Sequence, residues 1–172
     1  MIWFGLVLLV VLICFGGVLL VGAPYLPTLA PQVQSALKLT GLKSGDTLLE
    51  LGCGDGKVLL AAARQGINAV GYELNPFLAA LAWLRTRRYR RQVRVIWGDF
   101  WHQTWPPAEA IFVFLLPRYM SKLNKKVIQY PHKPVKLASY AFEIPGKRHV
   151  TEKNGVFLYK YTDSEPKELP AG

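Results

Sequence analysis

The sequence predicts a doubly wound α/β sheet ending in an antiparallel hairpin and preceded by one N-terminal transmembrane helix. Three observations carry this prediction. From Thr47 onward, short apolar runs alternate with helix-length segments, the pattern of βαβ units and a mainly parallel sheet. The first apolar run ends in Glu50-Leu51-Gly52-Cys53-Gly54-Asp55-Gly56, and the glycines lead straight into a helical stretch. Residues 2–23 contain no charged side chain.

As a helix, the 22 residues 2–23 reach roughly 33 Å, enough for a hydrocarbon core of about 30 Å. No Lys or Arg precedes them, unlike a secretory signal, and Pro24 directly follows the small residues Gly22 and Ala23. They also lack the polar face of a buried core helix. A retained single-pass span is therefore expected. Lys38 and Lys43 follow it and the remainder is basic, so the positive-inside rule places the following domain in the cytoplasm.

The 149 residues after Ala23 suit one domain. Residues 24–46 read as a connector and short helix. Pro24 and Pro27 stiffen the start, and a helix over 32–39 stops at Gly41. Thr47–Leu51 is the first strand. A helix over 57–65 follows, with Asp55 as its N-cap and Gly66 as its stop. Asn68–Glu73 is the second strand, and Asn75-Pro76 caps and opens a helix to about residue 88. Val93–Trp97 is the third strand. The unbroken apolar run 110–115 suits a central parallel strand. Pro117 opens a helix to about residue 129, and 135–142 is a fifth strand. Residues 148–153 and 156–161 flank Asn154-Gly155 as a closing hairpin. The α/β unit is thus 47–162, and the polar tail 163–172, with two prolines, is expected to be disordered.

Ligands of doubly wound sheets bind beyond the carboxyl ends of the strands. Three such ends carry a carboxylate: Glu50, Glu73 and Asp99. A glycine-rich turn lets a ligand approach the backbone closely. A dinucleotide fingerprint would place its third glycine at Lys57, whereas this loop reads Glu-x-Gly-x-Gly-x-Gly. A carboxylate after the second strand can accept from both hydroxyls of a vicinal diol. Cys14 and Cys53 suggest neither a disulfide nor a metal site, and no metal is expected.

The Glu50–Gly56 turn, Glu73 and Gly98-Asp99-Phe100 together resemble the Rossmann-like class I S-adenosyl-L-methionine (SAM) methyltransferases. The resemblance implies that Glu73 holds the ribose and that Asp99 and Phe100 hold the adenine. Gly52, Cys53, Gly54, Asp55 and Gly56 would hold the methionine end, whose carboxylate suits a helix N-terminus. Glu50 belongs to the same cofactor set. Tyr25-Leu26-Pro27-Thr28, Gly71-Tyr72-Glu73-Leu74-Asn75-Pro76 and Phe112–Pro117 narrow the likeness. Together with Glu50–Lys57 they resemble the membrane-anchored mitochondrial protein-lysine methyltransferases of the ATP synthase c subunit and the adenine nucleotide translocase, with their broad-specificity archaeal relatives. The likeness covers roughly residues 25–161. It implies that Tyr25 and Thr28 close over the methionine end and that Leu115, Leu116 and Pro117 line the acceptor channel. Asn75 and Leu115 count with the cofactor contacts, and Tyr25 and Pro117 with the catalytic residues. Leu115-Leu116-Pro117 departs from the Asn/Asp-Pro-Pro-Tyr motif that methylates planar amines, which argues against base N-methylation.

The expected function is membrane-tethered methyl transfer from SAM to protein lysines, on a partner that can itself be membrane-bound. Two alternatives stand beside it: an acceptor that is a membrane-associated lipid, quinone or small molecule, and SAM binding without turnover. No single general base is evident; Tyr25, Tyr140 and Glu143 are candidates. Arg85, Arg87, Arg88, Arg90, Arg91 and Arg94 form a basic run suited to an anionic membrane surface. With Tyr89 alone as aromatic interleaving, the run argues against nucleic acid.

Overall fold

The computed structural model describes residues 27–163, together with Trp3 and Gly5. The membrane span expected over residues 2–23, the tail 164–172 and Tyr25 lie outside the described residues. Among the described residues, no helix is long and apolar enough to cross a membrane.

The chain runs α1 (Ala30–Thr40), β1 (Thr47–Leu51), α2 (Lys57–Ala63), β2 (Asn68–Glu73), α3 (Pro76–Thr86) and β3 (Val93–Trp97). It continues through β4 (Ala110–Val113), α4 (Met120–Ile128), β5 (Val135–Tyr140), β6 (Thr151–Lys153) and β7 (Val156–Tyr161). Seven strands among the described residues form one Rossmann-like sheet in the order β3-β2-β1-β4-β5-β7-β6. The first five are parallel, β7 runs antiparallel to β5, and β6 pairs with β7 as the expected hairpin. Asn154 and Gly155 both have positive φ, as a tight hairpin turn requires.

Strand alternation divides the core. Leu48, Ala110, Phe112, Ala138 and Leu158 face α1, α2 and α3. Leu49, Leu51, Ile111, Val113 and Leu137 face α4 and the segment that carries Trp105. The short helix expected over 32–39 is α1, which starts two residues earlier and buries Val33, Ala36 and Leu37 in the core.

Element ends move for local reasons. α2 is shorter than expected, since Gln65 and Gly66 close on Ala62 and Ala63 as a turn. α3 gives way to a 3-10 turn at Arg87–Tyr89, and Pro117–Tyr119 forms another 3-10 turn ahead of α4. β4 ends at Val113 rather than at Leu115. Strand order reverses between β1 and β4, which pair directly. The glycine-rich loop and the chain after β4 therefore flank the switch point, where such sheets open a crevice.

Candidate functional site

The loop after β1 is held by β2. The amides of Gly52 and Cys53 both donate to the Tyr72 carbonyl, at 3.0 and 2.8 Å. The Gly54 amide donates to Glu73 Oε2 at 2.7 Å, and the Gly56 amide closes a turn on the Cys53 carbonyl. Gly52, Gly54 and Gly56 have φ of 86°, 52° and 76°, a region that side chains resist. The amides of Gly52, Cys53, Gly54 and Gly56 thus bond to protein acceptors. What the loop offers instead is space: a Cβ at Gly52 would meet no heavy atom within 4 Å.

Glu73 ends β2 with both carboxylate oxygens fixed. Oε2 accepts from Gly54, and Oε1 accepts from the Asn75 amide at 2.9 Å. A carboxylate has about four acceptor sites, so each oxygen keeps capacity for a donor from outside. Burial pushes Glu73 above the usual carboxylate range, while the amides of Asn75, Gly54 and Leu74 pull it down. The Asn75 side chain is committed to the helix cap, its Oδ1 accepting from Phe77 and Leu78.

Glu50 is buried beneath the loop, and its Oε2 has no hydrogen-bond partner among the described residues. Burial raises its pKa well above the ordinary value, with Glu73 and Asp55 adding repulsion and the Leu59 amide opposing. Cys53 is also buried, and burial with Glu50 and Glu73 nearby pushes its thiol up.

Asp55 is not the cap of α2. Gly56 occupies that position, with no side-chain hydrogen bond. The Asp55 carboxylate instead ion-pairs with Arg85 of α3 and, at 3.4 Å, with Lys57.

Asp99 and Phe100 follow β3. The Gly98 amide donates to the Glu73 carbonyl at 2.9 Å, which ties this segment to the end of β2. Asp99 Oδ1 accepts from the Trp101 amide, Asp99 Oδ2 lies 2.9 Å from His102 Nδ1, and the Phe100 carbonyl accepts from the Trp105 indole.

Beyond β4, Leu115 is buried in the core against α4, whereas Leu116 is half-buried and Pro117 exposed. Leu116 and Pro117, not Leu115, are the members open at the switch point. The Phe114 ring packs on Tyr140 at 4.5 Å from β5. Thr28 is half-buried just ahead of α1. Glu143 is bonded to His149 at 2.9 Å.

The basic run divides three ways. Arg85 turns in to the loop. Arg94 lies on the opposite face of β3, close enough to Tyr72 to favour its phenolate against the burial that raises its pKa. Arg87, Arg88, Arg90 and Arg91 stay exposed at the end of α3.

Sequence reasoning missed the latch behind Asp99–Phe100. Lys126 Nζ donates to the Trp101 carbonyl at 2.9 Å and lies 5.0 Å from the Trp105 ring centre, while Lys122 lies over Trp101. The Tyr72 hydroxyl donates to the Thr104 carbonyl at 3.1 Å. The signal was three tryptophans, 97, 101 and 105, ahead of a helix carrying Lys122 and Lys126.

Residues 50–151 match the family described as the ANTKMT methyltransferase domain. A human lysine N-methyltransferase of the ATP synthase c subunit is 30% identical over 126 residues, covering 71% of this chain and 53% of its own. A Saccharolobus islandicus protein-lysine N-methyltransferase is 28% identical, covering 72% of this chain and 79% of its own. The chain spans about half the length of the vertebrate relatives it matches. Among solved structures, an RNA methyltransferase from Salinibacter ruber in complex with S-adenosyl-L-homocysteine superposes with a TM-score of 0.78 at 25% identity. That match covers 85% of this chain and 100% of the other.

Proposed function

We propose that this chain, which belongs to the ANTKMT methyltransferase domain family, is a SAM-dependent methyltransferase that modifies lysine side chains of proteins. The observation that carries the reading is Glu73. Its carboxylate is pinned by the Gly54 and Asn75 amides with acceptor capacity left on both oxygens, beside the open position at Gly52. The orphaned Oε2 of Glu50 also fits a ligand bearing a cationic donor. The lysine acceptor rests on the names of the curated relatives.

When bound, the sulfonium supplies an electrophilic methyl group open to in-line attack. Glu73 would hold the ribose diol, Asp99 and Phe100 the adenine rim, and Glu50 the ammonium of the methionine end. Positioning of this kind is the chief means of acceleration in such a displacement. A free lysine has a pKa of about 10.4 and must be neutral to attack. Leu116, Pro117 and the Phe114–Tyr140 pair give the acceptor side an apolar wall, and an apolar wall lowers an amine's pKa by desolvation.

The uncharged residues 2–23 support a single membrane span, and Lys38 and Lys43 beyond it support a cytoplasmic catalytic domain. The acceptor would then be reached at or near a membrane.

The test is incubation of the full chain with methyl-labelled SAM and a membrane lysate. Methyl-lysine recovered from acid-hydrolysed protein is the expected result. Label only in lipid extracts, or only in RNA as the likeness to the Salinibacter ruber RNA methyltransferase invites, overturns the lysine assignment. Glu73→Ala should weaken SAM binding about 10–100-fold, the effect of losing charged acceptors; unaltered affinity overturns the ribose assignment.

A further inference from the structure

Gln32, in the first turn of α1, has its Oε1 buried and without a hydrogen-bond partner among the described residues. Its Nε2 donates to the Asn154 carbonyl at 3.5 Å, which identifies the unpartnered end as the oxygen. Asn154 and Gly155 form the hairpin turn between β6 and β7, and Asn154 Nδ2 donates to Ser35 Oγ at 2.9 Å. The start of α1 is thus fastened to the turn at two points. A buried acceptor left open in this way needs a reason. Among the described residues the other such side-chain atom is Oε2 of Glu50, already placed at the cofactor side of the site.

Both atoms lie on one face and one end of the sheet. Leu48 faces α1, so strand alternation turns Glu50 to the same side. Glu50 is in register with Phe112 of β4, and Phe112 with Ala138 of β5. Phe114 and Tyr140, each two residues further along, stack at 4.5 Å, and Tyr140 packs on the core that α1 covers. The hairpin turn borders this pair. The Ala141 amide donates to the Gly155 carbonyl at 2.8 Å, and a Cβ at Gly155 would stand 3.7 Å from the Tyr140 ring. Gln32 therefore meets the turn beside the apolar wall of the acceptor side, on a strand two spacings, about 10 Å, from that of Glu50.

We infer, on the lysine reading above, that Gln32 Oε1 accepts a hydrogen bond from the amine of the lysine being methylated and so orients its attack. In each transfer the lone pair of the neutral amine forms the N–C bond while the C–S bond breaks and leaves its electrons on sulfur. The ammonium formed then releases one proton to water. A neutral lysine amine has two N–H groups, a monomethylated one has one, and a dimethylated one has none. Gln32 can thus orient the first and second transfers but not a third. A neutral amide oxygen suits this task, because a carboxylate in its place would favour the ammonium, which cannot attack.

The test follows mono-, di- and trimethyl-lysine over time in acid hydrolysates of a membrane lysate incubated with the full chain and deuteromethyl-labelled SAM. Gln32→Met, close to glutamine in size, should slow the first and second transfers about fivefold, the effect of one hydrogen bond. Conversion of dimethyl- to trimethyl-lysine and calorimetric SAM affinity should be unchanged. Gln32→Glu should shift the rise of the transfer rate to higher pH, because a nearby carboxylate raises the amine's pKa. Melting curves check folding, and the pH profile of Gln32→Glu decides the matter if Gln32→Met does not fold. Absence of methyl-lysine with the unsubstituted chain removes the lysine reading and this inference with it. If methyl-lysine forms but the variants keep its transfer rates and pH profile, the inference alone is overturned. Equal slowing of all three transfers, or SAM affinity falling in step with turnover, also overturns it.

Discussion

Arg85, in the last turn of α3, ion-pairs with the Asp55 carboxylate and donates from Nη1 to the Asp55 carbonyl at 2.8 Å. One guanidinium nitrogen, Nη1, therefore holds both the side chain and the backbone of the glycine-rich loop. α3 also packs tightly on the start of α2: a Cβ on Gly56 would sit 2.9 Å from the Ala82 Cβ. The loop is thus clamped from β2 through Tyr72 and Glu73, and from α3 through Arg85.

Arg85→Ala should deprive the Asp55 carboxylate of its guanidinium partner while Lys57 stays in place. The expected destabilisation is about 1–3 kcal/mol, toward the lower end because Arg85 is partly solvated and Lys57 remains. SAM affinity should fall as the loop loses its register. Arg85→Lys should recover only part of either loss. Thermal melting and calorimetric titration with SAM read the two effects; if both are unchanged, the clamp has no energetic role.

Gly71 lies outside the glycine-rich turn, yet it tolerates a side chain less well than Gly52. A Cβ at Gly71 would stand 2.6 Å from Leu59 Cδ1 and 2.8 Å from Cys53 Cβ, in the interior between β2 and α2. Overpacking of that kind costs about 1–3 kcal/mol or more. Gly52→Ala meets open space, so its cost is the left-handed φ, roughly 1–2 kcal/mol, plus a methyl group in the ligand's approach. Gly71→Ala should therefore lower Tm more, with a smaller loss of SAM affinity per degree. The reverse ranking would show that the core relaxes around Gly71.

What was legible in the sequence was whatever depends on neighbours along the chain. β1, β2 and β3 begin and end as read, and each apolar run stops at a glycine or an acidic residue. Asn75 caps α3 as expected, because cap chemistry reaches only two or three residues. Asp55 was misread for the converse reason: its partner, Arg85, lies thirty residues away, and nothing local distinguishes a cap from an ion pair. Leu115 counts with the ligand contacts because its string matches a family pattern; the sequence does not show that its side chain packs into the core at the end of β4 while Leu116 and Pro117 stay more open. The six arginines looked like one feature in one dimension. The end of α3 and the alternation of β3 send them to three different surroundings.

Glu50 supplies the prediction with a definite sign. Its folded pKa is raised, chiefly by burial and then by Glu73 and Asp55. A carboxyl with a raised folded pKa contributes stability below its unfolded pKa of about 4.3, and that contribution is lost as pH rises through the folded value. At neutral pH the ligand-free protein thus carries a buried, half-partnered carboxyl. Glu50→Gln removes the titration and should raise Tm at neutral and mildly alkaline pH. The gain should correspond to about 1–3 kcal/mol, or a few degrees at about 3 °C per kcal/mol for a domain of this size. It should shrink toward zero near pH 4, where the wild-type carboxyl is protonated as well. The same substitution should weaken SAM binding, since a neutral amide cannot attract an ammonium as a carboxylate does. Melting curves of both proteins from acid to mildly alkaline pH, with and without SAM, separate these effects. A Tm difference that does not vary with pH would show that Glu50 stays in one protonation state across the range and has no part in the pH response.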